Sequence, residues 1–202
     1  MGILREKGII KGSKNKTASI FENLFPDENF LSLEYSSPSD YVSKYWNKYK
    51  ELQIQNNATN GKFFELTIYT LLYREGLVPF YSQAKVAFVP NVEYDTILYT
   101  KEKPISLSLK TSLRERYKQA DLEAVALKYV HRKAKCFLLS IESSEVESIS
   151  RKIMTGDILG LDNIIDCQTH DFDALIEWLK NDIKSILSVS EKIDVITGNL
   201  IR

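Results

Sequence analysis

Cysteine and histidine occur only twice each in 202 residues, and proline five times. Cys136 and Cys167 stand in no zinc or redox spacing, so a structural zinc site and dithiol chemistry are set aside. Glycine is also sparse, with eight copies and no glycine-rich phosphate loop, which removes nucleotide hydrolysis of the P-loop kind. The excess charge is zero, which argues against a protein that coats nucleic acid indiscriminately. No apolar run is long enough to cross a bilayer, and the opening MGILREKGIIKGSKNK lacks the apolar core of a signal peptide. Cys136, inside the apolar run KCFLLSI, reads as a buried thiol, and a reducing cytoplasm is the expected location.

What remains is an ordinary globular composition, 44% apolar and 27% charged, on a chain long enough to bury a substantial core. There is no internal repeat or low-complexity linker. Residues 1–56 read as a basic arm followed by a helical region that contributes DNA contacts or dimerisation. Residues 57–202 read as the core, the whole forming one compact domain. The first 16 residues are basic, with three glycines, and are expected to be mobile, either tracking phosphates or merely solvated. Helices are expected over 18–25 and 37–55, the latter capped by Ser39 or Asp40 and carrying an aromatic stripe of Tyr41, Tyr45, Trp46 and Tyr49. That stripe fits packing against the core or a partner subunit; stacking on bases is the other reading. A third helix, 58–77, is apolar nearly all round, capped at Asn60 and ending near Gly76. Glu65 is its anomaly, because an acid on such a helix must meet a cation, a metal ion or hydrogen-bond donors. An edge carboxylate pairing with a lysine would satisfy it too.

Short strands punctuated by Pro79 and Pro90 follow. In VEYDTILYT, Asp95 shares a face with Ile97, which is unexpected for an acid facing solvent, and Glu93 competes for its role. The stretch 105–132, ISLSLKTSLRERYKQADLEAVALKYVHR, then changes period. Ile105, Leu107 and Leu109 alternate as in a strand, whereas Leu122, Val125, Ala126, Tyr129 and Val130 recur at helical spacing. Between them lie Ser108, Lys110, Thr111, Arg114, Glu115, Arg116, Lys118 and Gln119, a polar cluster of the sort that serves a ligand at the root of a helix. A solvated amphipathic helix after a strand end would look similar. Over 101–118 there are six basic residues against two acidic ones, a local basic surface on a neutral protein. Beyond this, 133–143 is a continuous apolar strand, covered on both faces. A helix ending by Gly156, a short strand in DNIIDCQTH and an amphipathic helix over 172–187, with Trp178 inward, complete the pattern. The tail after 187 carries no clear signal. The fold class expected is α/β, a central mixed β-sheet flanked by helices with an N-terminal helical extension.

A glutamate in a helix, an aspartate in a strand and a lysine on the next strand resemble the PD-(D/E)XK nucleases. The carry-over gives Glu65, Asp95 and the tripeptide Ser108-Leu109-Lys110, with Tyr94 where the family has proline and Ser108 where most members have an acid. A narrower resemblance is to restriction endonucleases cutting CCGG, CCNGG and related sites, in which the missing acid comes from the following helix. Glu123 lies at that position, and Arg114-Glu115-Arg116 matches the cluster those enzymes use on G·C pairs. The resemblance covers residues 61–132.

The resemblance implies a restriction-endonuclease-like core and Mg²⁺-dependent hydrolysis of double-stranded DNA at a short palindromic site containing G·C pairs. Asp95 and Glu123 would ligate the metal, Lys110 would orient water or stabilise developing charge, and Glu65 would act from behind them. Arg114, Glu115 and Arg116 would read bases, and Lys118 would meet phosphate. A homodimer and an accompanying cognate DNA methyltransferase are implied as well. The swap at Ser108 leaves open a DNA-binding or repair-associated module whose site no longer cuts.

Overall fold

In the computed structural model, the described residues are 2–12, 15–54, 56–89, 91–98, 103–183 and 195–202. Six strands form one sheet in the order β5-β4-β3-β2-β1-β6: β1 Phe80–Val86, β2 Tyr94–Leu98, β3 Ile105–Lys110, β4 Lys135–Ser140, β5 Asn163–Asp166 and β6 Val195–Ile201. β1, β2, β3 and β6 pair antiparallel, whereas β3, β4 and β5 run parallel. The two parallel steps are crossovers through α5 (Arg116–Val130) and α6 (Ser143–Thr155). The sheet is therefore mixed, as expected, and it is covered on both faces. On one face α5 and α6 bury Ala120, Ala124, Leu127 and Ile149 against Ile97, Cys136, Leu138 and Ile164. On the other, α4 (Asn57–Arg74) and α7 (His170–Ile183) pack Phe63, Phe64, Leu71, Phe172 and Ile176 over Leu98, Ile105, Leu107, Leu109 and Leu139. The alternation of β3 thus gives its odd residues to the α4 core, leaving Ser106, Ser108 and Lys110 on the opposite face.

The N-terminal segment departs from the expected mobile arm. α1 (Ile3–Glu6) buries Leu4, and Ile9 is buried behind it. The amide of Leu4 donates to Glu22 at 2.8 Å, and Asn199 of β6 donates to the carbonyls of Gly8 and Ile9. Two apolar residues with firm partners outweigh the basic, glycine-bearing composition. α2 (Lys16–Glu22) and α3 (Pro38–Glu51) extend the α4 core. α3 is capped by Ser37, not Ser39 or Asp40, and α4 by Asn56, not Asn60. Tyr41, Tyr45, Trp46 and Tyr49 are all buried, with Tyr49 stacked on Phe63 at 4.1 Å between ring centroids. Their surfaces are spent inside the chain, so the stripe is available neither to stack on bases nor to form a subunit contact.

Three further expectations shift. On α5 the buried face is carried by Ala120, Ala124 and Leu127, while Leu122 (69% exposed), Val125 (41%) and Tyr129 (87%) point outward. Trp178 is half-buried, packed edge-on against Phe137 with Lys103 over its ring. The tail contains β6, which closes one edge of the sheet against β1. Among the described residues, no helix is long and apolar enough to cross a membrane.

Candidate active site

β2 and β3 form the antiparallel hairpin that brings Asp95 to Lys110. Their ladder pairs Leu98 with Ile105 and Thr96 with Leu107. Past Thr96 the Asp95 side chain takes over: its Oδ2 accepts from the Leu109 amide at 2.7 Å and from Lys110 Nζ at 2.8 Å, with Ser108 Oγ at 3.5 Å. Both side chains of the ion pair are largely buried, 17% exposed for Asp95 and 11% for Lys110. Charges held this far from water interact more strongly than surface pairs.

The backbone beside Asp95 is irregular. Gln83 on β1, flanked by the pairs Ser82–Thr96 and Ala84–Tyr94, has a left-handed backbone with φ of 51°. The turn-over moves the strand's burial from one face to the other: Phe80 belongs to the α4 core, Ala84 and Val86 to the α5 core. β2 does the same, with Leu98 in the α4 core and Tyr94 in the α5 core. The strict alternation expected across Tyr94 and Leu98 is therefore broken at Asp95. A left-handed residue that is not glycine costs energy, and such strain concentrates at functional sites.

Glu123 lies on α5 and is half-buried. Burial pushes its carboxyl above the ordinary carboxylate range, opposed by a hydrogen bond from Gln119 at 2.7 Å and by the Lys110 charge, while the Asp95 charge raises it further. The charges of Lys110 and Asp95 thus both reach Glu123, with opposite effects. Glu65 is held differently. Its Oε2 pairs with Lys62 at 2.7 Å, one turn earlier on α4, with Gln83 Nε2 at 3.4 Å. Burial raises its carboxyl too, and the charges of Asp95 and Lys110 both act on it. Ser108 is buried on β3, and Glu93 is exposed immediately before β2.

Whether these acids suit a divalent metal can be judged from their free oxygens. Among the described residues, every donor to Asp95 goes to Oδ2 and the donor to Glu123 goes to Oε1, so Asp95 Oδ1 and Glu123 Oε2 accept no hydrogen bond. Two carboxylates with one uncommitted oxygen each fit Mg²⁺, which takes one or two protein carboxylates and completes its shell with water and phosphate. Among the described residues, no group of three or more Asp, Glu, His or Cys is placed to hold a metal ion.

Arg114 and Glu115 follow β3 in a turn that leads into α5, Arg116 is the first residue of that helix, and all three are exposed. With Thr111, Ser112 and Asn57 at the start of α4, they line a cavity of about 500 Å³. Glu115 pairs with Lys118 at 2.6 Å, and the Arg114 amide donates to Glu145 of α6 at 2.8 Å. The triplet thus sits at the same end of β3 as Lys110. Sequence reasoning missed Gln83, whose left-handed backbone has no local signature, and two tyrosines: Tyr69 Oη donates to the Asp95 carbonyl at 2.7 Å, and Tyr94 Oη to the Glu123 carbonyl at 3.0 Å. Tyr94 stands where the resembling family has proline, which was the one available cue.

No protein-family model and no curated protein matches the chain. A solved structure, the restriction endonuclease PspGI–substrate DNA complex, is similar at 19% identity, covering 75% of this chain and 60% of that one, with a TM-score of 0.45. The chain thus spans less than two thirds of that protein, and at this level neither residues nor activity carry across. The likeness to enzymes cutting CCGG or CCNGG rests on the sequence motifs alone.

Proposed function

We propose that this chain is a Mg²⁺-dependent endonuclease acting on double-stranded DNA, in the manner of a Type II restriction endonuclease at a short palindromic site containing G·C pairs. The observation that carries the reading is the Asp95–Lys110 pair, with one uncommitted carboxylate oxygen on Asp95 and one on Glu123. A phosphodiester needs an attacking water, neutralised charge at the phosphorus and a stabilised leaving oxygen, and bound Mg²⁺ supplies these together. Asp95 and Glu123 would hold the ion. Lys110 is fixed by Asp95 and offers its remaining N–H groups to the attacking water or to a non-bridging phosphate oxygen, where negative charge grows. Glu65 acts from behind, its charge coupled to both Asp95 and Lys110.

Arg114 and Arg116 would donate to guanine O6 and N7, Glu115 would accept from the cytosine amino group, and Lys118 would meet phosphate. Two strands must be cut by a chain with one such site, which a two-fold homodimer on a palindrome accomplishes. With the α3 aromatics buried, the exposed apolar face of α5, Leu122, Val125 and Tyr129, is the surface we assign to that contact. Tyr129→Asp should then give a monomeric mass on cognate DNA, where the wild type is dimeric. A wild type that is itself monomeric on that DNA would remove the arrangement. A cognate methyltransferase belongs to the same reading.

Digestion of plasmid DNA in Mg²⁺, with sequencing of the ends, tests the activity; discrete termini at one repeated motif are expected. Ser108, buried where an acid would stand, favours a second reading, a DNA-binding or repair-associated module with a degenerate site. Sequence-specific protection of DNA without any cleavage would select it.

A further inference from the structure

Tyr69 and Tyr94 connect the three elements that carry the candidate site. Tyr69 lies on α4 one turn after Glu65, and its hydroxyl donates to the Asp95 carbonyl at 2.7 Å. Tyr94 precedes Asp95 on β2, and its hydroxyl donates to the Glu123 carbonyl at 3.0 Å. α4 covers one face of the sheet and α5 the other, so the two bonds run from face to face through β2. Both tyrosines are nearly fully buried, at 2% and 3% exposure.

The acceptors are informative. Glu123 lies inside α5, where helix geometry already supplies its carbonyl with the amide four residues on, Leu127. The Tyr94 bond is therefore surplus to the helix, and what it adds is a fixed point between β2 and α5. At Asp95, the neighbouring strand turns left-handed at Gln83, and Tyr69 reaches in from α4 at that irregularity. A carboxylate pair shared by two separate elements has no covalent reason to keep its separation. Backbone tethers at both ligands supply one.

We propose that Tyr69 and Tyr94 are positioning residues that set the spacing of the Asp95 and Glu123 carboxylates by gripping their backbone carbonyls from α4 and β2. This rests on the reading of those two acids as a metal site. The role assigned to both tyrosines is indirect, exerted through the backbone of the two acids.

The test uses the full chain without DNA and follows its melting temperature across a series of Ca²⁺ or Mg²⁺ concentrations, since an ion bound only by the folded state raises it. Asp95→Asn and Glu123→Gln should each abolish the metal-induced rise. Tyr69→Phe and Tyr94→Phe should keep the rise but need about tenfold more metal to reach half of it, the range seen when groups orienting metal ligands are removed. A purely structural role would lower the metal-free melting temperature and leave the metal midpoint unmoved, and that result would overturn the inference. If the wild type shows no rise, or if the rise survives in Asp95→Asn and Glu123→Gln, the metal site itself is overturned and the inference with it. If the carboxylate variants lose the rise while both tyrosine variants titrate like wild type, the site stands and the tethers fall.

Discussion

Glu65 spends its carboxylate on Lys62, 2.7 Å away on the same helix, although the charges of Asp95 and Lys110 reach it as well. The two relationships have different consequences. An ion pair at the edge of α4 would make Glu65 a partner of Lys62 and nothing more. A charge coupled to Asp95 and Lys110 would make it part of the site.

The pair of variants Glu65→Gln and Lys62→Met separates these roles. Glu65→Gln keeps a hydrogen-bond acceptor for Lys62 but removes the charge, and should slow cleavage about tenfold. Lys62→Met keeps that charge and should change the rate much less. Equal losses in both, measured under single-turnover conditions, would reduce Glu65 to the role of an ion-pair partner.

Asp95 and Lys110 make a stronger demand, because each satisfies the other in a largely buried place. Lys110→Met should lower the cleavage rate roughly 10²–10³-fold, the loss expected for one charge-stabilising donor. Asp95→Asn should abolish cleavage and also destabilise the fold by roughly 1–3 kcal/mol, since the buried ammonium loses its carboxylate. Binding to cognate DNA in Ca²⁺ should largely survive in both. Cleavage at the wild-type rate by Asp95→Asn would place the chemistry elsewhere.

The parts legible in the sequence were those with a strong period. Ile105, Leu107 and Leu109 isolate Lys110 on the other face of β3, and the hairpin with β2 follows from the short connection. The apolar spacing on α5 misleads in part: Ala126 and Val130 pack partly against the core, but its buried face is carried by Ala120, Ala124 and Leu127, while Leu122, Val125 and Tyr129 face water. Large apolar residues dominate a periodicity count even when they face water. β6 left no clear signal in the tail: it contains Gly198 and Asn199, both poor strand formers, and pairs with β1 through register shifts. The N-terminal segment was misjudged because two buried residues, Leu4 and Ile9, decide its fate against a basic composition. Glu65, Asp95, Lys110 and Glu123 are the candidates that the family resemblance names, but the Tyr69 and Tyr94 bonds join residues 26 and 29 positions apart and leave no local pattern.

Glu123 also predicts a pH dependence. Burial raises its carboxyl, so the folded chain holds that proton more tightly than the unfolded one. Stability associated with the protonated form is complete below the unfolded value and is lost as pH rises through the higher folded value. At neutral pH and above, the wild type therefore carries an ionised group in a place that disfavours it. Glu123→Gln removes that penalty while keeping an oxygen for Gln119. It should melt about 1–3 °C higher than wild type near pH 8 without metal, with the difference fading towards about pH 4, where an exposed glutamate also takes up its proton. The same variant should not cleave. A melting temperature lower than wild type at pH 8 would mean that the Glu123 carboxylate stabilises the fold.

Arg114, on the turn into α5, and Arg116, its first residue, are both exposed, so their replacement should leave the melting temperature unchanged. Their position beside the cavity after β3 puts them at the same strand end as Lys110, where base readers must lie if cutting and reading are coupled. Arginine donates twice to guanine in the major groove, and glutamate accepts from the paired cytosine. Each half-site should therefore contain two adjacent G·C pairs, whose order and spacing the two arginines do not dictate. Arg114→Ala and Arg116→Ala should each cost roughly 1–3 kcal/mol of discrimination at one G·C position, and at a different position for each. Lys118→Ala should instead weaken binding evenly across sequences and reduce the salt dependence by about one counterion. Competition binding with single-position variants of the cleaved site measures all three. Cleavage confined to A·T sequence, or an unchanged preference profile in both arginine variants, would show that the triplet grips phosphate rather than bases.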